Sequence, residues 1–545
     1  MSARRLLLLA AQWAVPLAVL AVLFVLPVAT MVATGFWVDG SFAPGAALEV
    51  LTRPRVHRVV AFTLASATGG TLLSLALGLP AAYTLTRLAI PGRHALRAAM
   101  LVPFVLPTVV VGVAFRQLLS EAGPLGFLGL DGTWVAIVLG LAFFNVSVVI
   151  RGVGAAWEGL DPRPGEAAAA LGASPVQVLR TVTLPALRPA IVSAASVVFL
   201  FCATAFGVVL TLGGVRYATV ETEIYLLTTT LFDLPAAAAL SVLQLLVVTG
   251  LLVLTGRTRT GRDPVARRAV SAKRPTRRDL PALAATGLLL VFVAAPLVTL
   301  VAGSLRVGGA WSLGNYRALG GTGKDQALLV PVTEALATSL RTAVDATTMA
   351  VSFGLLLAVL LTRRSHSATE RRIRSTLDGL FMLPLGVSAV TLGFGFLIAL
   401  DSPPLDLRDS PLLVPIAQAL VALPLVVRTL VPVLAGIDDR QRQAAAALGA
   451  GPLRTFWTVD LPAVWKPTLA ATGFAFAVSL GEFGATSFLA RDEQPTLPVV
   501  IFRLIGHPGE LNYGMALAAS VVLAGVTALV MLTVERLRVP SMGAF

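Results

Sequence analysis

EAAAALGASPVQVLRTVTLP, from Glu166 to Pro185, and QAAAALGAGPLRTFWTVDLP, from Gln443 to Pro462, are one pattern written twice in a chain of 545 residues. Gly172 and Gly449 lie 277 apart, as do Pro185 and Pro462, so no insertion or deletion separates the copies. Each copy sits in a polar interval between strongly apolar segments. In the first, Asp161-Pro162 and Pro164 supply a helix start: an acidic cap, then proline where the missing N–H costs little. Glu166 complements the helix dipole, Ala167 to Ala170 form a slim face of high helix propensity, and Gly172 ends or bends the helix. Ser174-Pro175 starts a second helix, which Leu184-Pro185 is expected to break before the apolar run resumes. A short helix-turn-helix outside a membrane is predicted at both places.

The flanking composition requires that membrane. The chain is 56% hydrophobic and only 13% charged, with a mean hydropathy of +0.85, which leaves too little polar surface for a soluble protein of this length. Its apolar runs reach roughly 20 residues, enough to cross about 30 Å of hydrocarbon. The fold class is therefore an all-α polytopic membrane protein of about twelve transmembrane helices. Six are predicted near 8–34, 59–86, 98–119, 133–157, 191–213 and 234–255. Six more are predicted near 281–303, 336–362, 377–400, 411–435, 468–490 and 512–535. The first run follows Arg4 and Arg5 and reads as a retained span, being long and without a small-residue cleavage pattern.

The net charge of +14 would suggest nucleic acid in a soluble protein, but its distribution is topological. Arg87, Arg93 and Arg97 follow the second span, and Arg363, Arg364, Arg371, Arg372 and Arg374 follow the eighth. Between Arg257 and Asp279 nine Lys or Arg face only two Asp. Alternate loops are mixed or acidic, as with Glu221, Glu223 and Asp233. Positive loops stay inside, so both termini and both repeated loops are expected in the cytoplasm of a bacterial inner membrane, with anionic lipid as a contact and no nucleic acid as a partner. Cys202 is alone in an apolar run, and the four histidines share no ligand spacing, so neither a disulfide nor a metal site is expected.

The repeat extends beyond the loops. Arg151 pairs with Arg428 and Phe206-Gly207 with Phe483-Gly484 at the same offset, while Gly78 pairs with Gly354 and Arg87 with Arg363 at 276. Two six-span repeats follow. An even number of spans gives them the same orientation, so they are parallel rather than inverted. The division is 1–255 for the first half, 256–280 for a basic cytoplasmic linker whose composition argues against packing, and 281–545 for the second half.

The loops resemble the E-A-A, three residues, Gly, nine residues, aliphatic, one residue, Leu-Pro signature of permeases of binding-protein-dependent ABC importers. The first copy matches throughout; the second has Gln443 in place of Glu. The resemblance implies that each loop is a coupling helix docking on an ATPase subunit, through Glu166, Ala167, Ala168, Gly172, Leu184 and Pro185, and through Gln443, Ala444, Ala445, Gly449, Leu461 and Pro462. It implies two copies of that ATPase, an extracytoplasmic substrate-binding protein, and a permease that is not an enzyme, has no catalytic residues and binds no cofactor, ATP being held by the partner. Gly320 to Asp325, GGTGKD, lacks the spacing of a phosphate-binding loop. Gln443 loses the charge that pairs with a partner's Arg, so unequal docking of the two loops is expected.

Two fused six-span halves resemble the thiamine and ferric-iron branch of that family, with LGGVRYATVETEIYLLTTTLFDLPAAAAL (212–240) closer to the thiamine permeases. Thiamine, then ferric iron, are the expected solutes. Polar groups at membrane depth mark a pathway or a packed interior. Asn145, Thr204, Ser479 and Glu482 are the pathway candidates, Glu482 as a gate carboxylate or as a hydrogen-bonded structural group. The alternative is an ion-coupled secondary transporter, which also uses two parallel six-span repeats but needs no matched docking loops.

Overall fold

Long apolar runs punctuated by Pro and Gly leave the chain almost wholly helical. The computed structural model describes residues 3–38, 41–100, 102–213, 216–258, 273–363, 367–382, 387–401 and 406–537. Two short antiparallel hairpins are the paired strands among them, Trp37–Val38 with Ser41–Phe42 and Arg306–Val307 with Ala310–Trp311. The helices of the first sequence half include α1 (Gln12–Phe36), α2 (Pro54–Arg87), α3 (Arg93–Ala99), α4 (Thr108–Leu119) and α5 (Trp134–Glu158). They continue as α6 (Arg163–Ala170), α7 (Pro175–Ala203), α8 (Gly207–Gly213), α9 (Val220–Thr229) and α10 (Leu234–Thr258). The second half repeats this order with α11 (Leu280–Ser304), α12 (Val332–Thr362), α13 (Ala368–Met382), α14 (Ala389–Ala399) and α15 (Leu413–Ala435). It ends with α16 (Asp439–Ala447), α17 (Pro452–Leu480), α18 (Thr486–Leu489), α19 (Leu497–Gly506) and α20 (Glu510–Leu537).

Ten described helices are long and apolar enough to cross a membrane, against about twelve predicted. The segment near 98–119 is instead a pair of helices, Ala95–Val105 and Thr108–Leu119, bent by 101°. Pro107 stands extended at the join and keeps Leu106 out of a regular helix. The segment near 377–400 runs through 383–386, outside the described residues; before them it holds the end of α13, and after them α14 has eleven residues, too few to span alone. The segments near 191–213 and 468–490 begin and end earlier than predicted: α7 stops at Ala203 and α17 at Leu480, and short helices follow each break.

The described residues pack as two compact units that do not follow the sequence halves. One comprises Arg53–Glu223 and Val247–Asn315; the other comprises Met1–Thr52, Ile224–Leu246 and Tyr316–Met542. In the former, α11 lies against α2 and α4. Thr286 Oγ1 donates to Thr84 Oγ1 at 3.0 Å, and Phe292 meets Phe115 and Phe143 with ring centroids 6.0 and 6.2 Å apart. In the latter, α1 lies against α14, where Gly395 leaves room for Pro27 and Met31. Each half therefore lends its first span to the other half's bundle. The outer face of α11 exposes Leu288, Val291 and Val298, as a surface bathed in lipid tails requires.

The internal repeat is also a repeat of contacts. The Val220 N–H, opening α9, donates to Thr63 Oγ1 of α2 at 3.0 Å, and the Leu497 N–H, opening α19, donates to Ser339 Oγ of α12 at 2.6 Å. Gly78 lets α2 approach Val149 of α5, and Gly354 lets α12 approach Val426 of α15; an added Cβ would sit 2.8 and 2.7 Å from those valines. Gly78→Ala and Gly354→Ala should each cost about 1–3 kcal/mol by overpacking. Thermal unfolding of the detergent-purified chain checks this, with Gly250→Ala, which meets nothing within 4 Å, as the unaffected control.

Most of the predicted linker, 259–272, lies outside the described residues. Its end is packed, contrary to the reading from composition. The Ala89 N–H donates to Lys273 O at 2.8 Å and the Lys273 N–H to Arg87 O at 3.0 Å, beside the end of α2. Asp279 is buried there, accepting from Tyr83 Oη at 2.6 Å, Lys273 Nζ at 3.1 Å and the Thr276 N–H at 2.9 Å. Burial pulls the Lys273 ammonium down, but its bonds to Tyr83 and Asp279 outweigh that and hold its pKa above the usual lysine value. These side-chain partners are what composition alone does not reveal.

Candidate functional site: the repeated loops

The repeated sequence folds the same way twice because the same residues sit at each helix end. Asp161 Oδ1 accepts from the Arg163 N–H at 3.1 Å and Asp438 Oδ1 from the Arg440 N–H at 2.9 Å, so each coupling-type helix has an acidic start. At the other end Gly172 and Gly449 adopt φ of +89° and +80°. The Ala173 N–H reaches back to Ala168 O and the Ala450 N–H to Ala445 O, each at 3.0 Å, which closes the helix with a left-handed glycine. The next helix is opened by Ser174 and Gln177 in a reciprocal capping box, Ser174 N–H to Gln177 Oε1 being 2.7 Å. Gly451 replaces Ser174 in the second copy and offers no side-chain cap.

The expected break at Leu184-Pro185 does not occur. The Leu184 N–H bonds Leu179 O in a π-helical turn over Leu179–Thr183, and α7 runs unbroken from Pro175 into its span. The second copy has the same turn over Phe456–Asp460. Proline removes one donor, and widening one turn absorbs the loss without ending the helix. Each loop is thus joined stiffly to the span that follows it.

Leu171 and Leu448, the residues before the two glycines, are 90% and 87% exposed. Val176 and Leu453, 277 apart like the leucines, are also exposed. Aliphatic side chains so fully presented on polar loops mark a contact surface. Sequence reading missed them, although their repetition at one offset was a usable signal. Of the predicted coupling residues, Glu166, Ala167, Gly172, Leu184 and Pro185 are exposed and Ala168 is half-buried. Gln443, Ala444, Gly449 and Pro462 are exposed, with Ala445 and Leu461 half-buried. Neither Glu166 nor Gln443 has a side-chain partner among the described residues.

The two loops differ in how they are attached. Asp460, at the end of the π turn, is 1% exposed; its Oδ1 accepts from Arg442 Nε at 2.8 Å and its Oδ2 lies 3.4 Å from Arg363 Nη2. Arg442 Nη2 also donates to Leu434 O in the last turn of α15 at 3.0 Å. In the first half Arg87, the counterpart of Arg363, donates to Trp157 O in the last turn of α5 and to Leu160 O just beyond it, at 2.7 and 3.0 Å.

The pathway candidates are all placed where a span is tightly packed or broken. Asn145 is buried and donates to Leu141 O at 2.9 Å and to Cys202 Sγ at 3.3 Å, leaving its Oδ1 without a partner among the described residues. Ser479, which matches Cys202 in the repeat, is buried and its Oγ likewise lacks a described partner. Thr204 caps the end of α7 and donates to Leu200 O at 2.9 Å. Glu482 sits in the break after α17 and caps α18, accepting from the Ala485 and Thr486 N–H groups at 2.8 and 3.0 Å and from Thr486 Oγ1. The GGTGKD stretch is a tight corner, where Asn512 Oδ1 accepts from the Lys324 N–H at 2.7 Å.

Comparison with known proteins matches these features twice. The family described as binding-protein-dependent transport system inner membrane component fits residues 74–258 and 350–538, one match in each half, and each contains one loop. The thiamine transport system permease protein of Brucella abortus (strain 2308) is 28% identical over 473 residues, 82% of each chain. That of Escherichia coli (strain K12) is 28% identical over 468 residues, 82% of this chain and 83% of the relative. The sulfate transport system permease protein of Salmonella typhimurium (strain LT2) is 34% identical over 229 residues, 40% of this chain and 82% of the relative. With its two matched loops and apolar helices, this chain belongs to the family of inner-membrane permease components of binding-protein-dependent ABC transporters, and carries two permease domains in one polypeptide.

Proposed function

We propose that this chain forms the pathway of an ATP-driven thiamine importer, receives the vitamin from an extracytoplasmic binding protein, and couples to two copies of a separate ATPase through α6 and α16. The observation that carries the docking assignment is the pair of exposed leucine–glycine corners at one sequence offset. A partner with a shallow apolar groove gains contact at each corner. The ATPase subunits close around ATP, and their closure moves the loops and the spans fused to them through the π turns. Both loops and both termini then face the cytoplasm, in keeping with the basic loops beside them. An ion-coupled secondary transporter has no use for such corners, and membership of a binding-protein-dependent family sets that alternative aside.

Thiamine is favoured over sulfate and ferric iron because relatives named for thiamine align along both halves, whereas those named for sulfate align with 40% of this chain. The test is uptake in proteoliposomes holding the chain, its co-purified ATPase and its binding protein. ATP-dependent accumulation of labelled thiamine, competed by unlabelled thiamine but by neither sulfate nor ferric citrate, is the expected outcome. Accumulation of sulfate or iron instead would reassign the solute.

A further inference from the structure

Backbone symmetry between the two loops hides a difference in how each is held. Asp460 ties three elements together: its own π turn at the start of α17, the coupling-type helix α16 through Arg442, and the end of α12 through Arg363. Arg442 adds the last turn of α15 through Leu434 O, so turning α16 about its axis breaks several charge-assisted bonds at once. In the first loop Gly165 and Thr183 stand where Arg442 and Asp460 stand in the second. Among the described residues, no side chain of α6 makes an ion pair or hydrogen bond to a span.

We propose that the Arg363–Asp460–Arg442 clamp makes the second loop the stiff lever of the pair and leaves the first loop compliant, so that motor motion reaches the spans chiefly through α16. The inference rests on the reading of α6 and α16 as docking helices. Asp460 and Arg442 are positioning residues: they touch neither solute nor nucleotide and act through the orientation of α16. A fully exposed ion pair would be too weak for this task. Here the carboxylate is enclosed, and removing one partner strands a buried charge.

Hydrogen exchange on the full wild-type chain in lipid nanodiscs tests stiffness without any partner. Amides of 440–447 should exchange roughly tenfold more slowly than those of 163–170. The difference should vanish in Asp460→Asn and in the pair Arg442→Gly with Asp460→Thr, which copies the first loop and strands no carboxylate. Grafting the clamp by Gly165→Arg with Thr183→Asp should slow exchange over 163–170; a Cβ at Gly165 makes only ordinary contact, 3.4 Å from Val178. In the assembled transporter, labelled thiamine moved per ATP should fall roughly tenfold in the Arg442→Gly, Asp460→Thr pair while the ATPase still co-purifies. Equal exchange of the two loops in wild type, or an unchanged thiamine-to-ATP ratio in that pair, overturns the clamp. If wild type recovers no ATPase at all, the docking reading fails instead, and the exchange difference stands or falls by itself.

Discussion

Arginine at both Gly172 and Gly449 will abolish recovery of an ATPase with this chain from its native membrane, while the chain still inserts and folds. The two glycines hold φ of +89° and +80°, a region where a side chain costs about 1–2 kcal/mol. An added Cβ meets nothing within 4 Å at either position, so the chain itself suffers no internal clash. The damage falls on the contact surface, where the corner is strained and a guanidinium must be desolvated beside Leu171 or Leu448. Strain and bulk are separable, because asparagine tolerates the left-handed region and ends helices in this way. Gly172→Asn with Gly449→Asn should therefore keep the ATPase. Co-purification and ATP hydrolysis are the readouts, and an Arg pair that recovers wild-type amounts of ATPase would remove the docking assignment.

The loops were legible because their residues act locally. Asp161, Gly172 and Ser174-Pro175 each fix a helix end with groups no more than a few residues away, and the structure places those ends where the sequence puts them. Leu184-Pro185 was misread because proline's lost donor need not end a helix; whether a π turn absorbs it depends on the rest of the helix. Glu482 could be read either as a gate or as a cap, and only folded geometry brings the Ala485 and Thr486 donors to its carboxylate. The Asp460 clamp is tertiary: Arg363 is far away in sequence, and nothing in VDLP announces it. The exchange of first spans was illegible for another reason. α11 is apolar almost all round, so no polar face in its sequence selects the helices it packs on.

Replacing Leu171 and Leu448 by serine should weaken docking of each ATPase copy roughly ten- to a hundredfold without unfolding the chain. Burying a leucine is worth roughly 1.5–3 kcal/mol, and each ATPase copy is offered one such side chain. Because both leucines are almost fully exposed, truncating them removes no internal packing. Thermal stability should therefore stay within about 0.5 kcal/mol of wild type. The single variants separate the two loops. Loop ordering on binding subtracts from affinity, so a contact presented by a held helix returns more of its burial energy than one presented by a loose helix. With α16 clamped by Asp460 and α6 free, Leu448→Ser should cost more than Leu171→Ser, even though the first loop retains the charged Glu166 and the second has Gln443. Titrating purified ATPase onto immobilised chain measures all three variants against wild type. A larger loss from Leu171→Ser would mean that the Glu166 charge outweighs stiffness in docking. If no variant shifts the affinity beyond twofold, the apolar corners are not the anchor, and the exposed alanine faces of α6 and α16 must carry the contact instead.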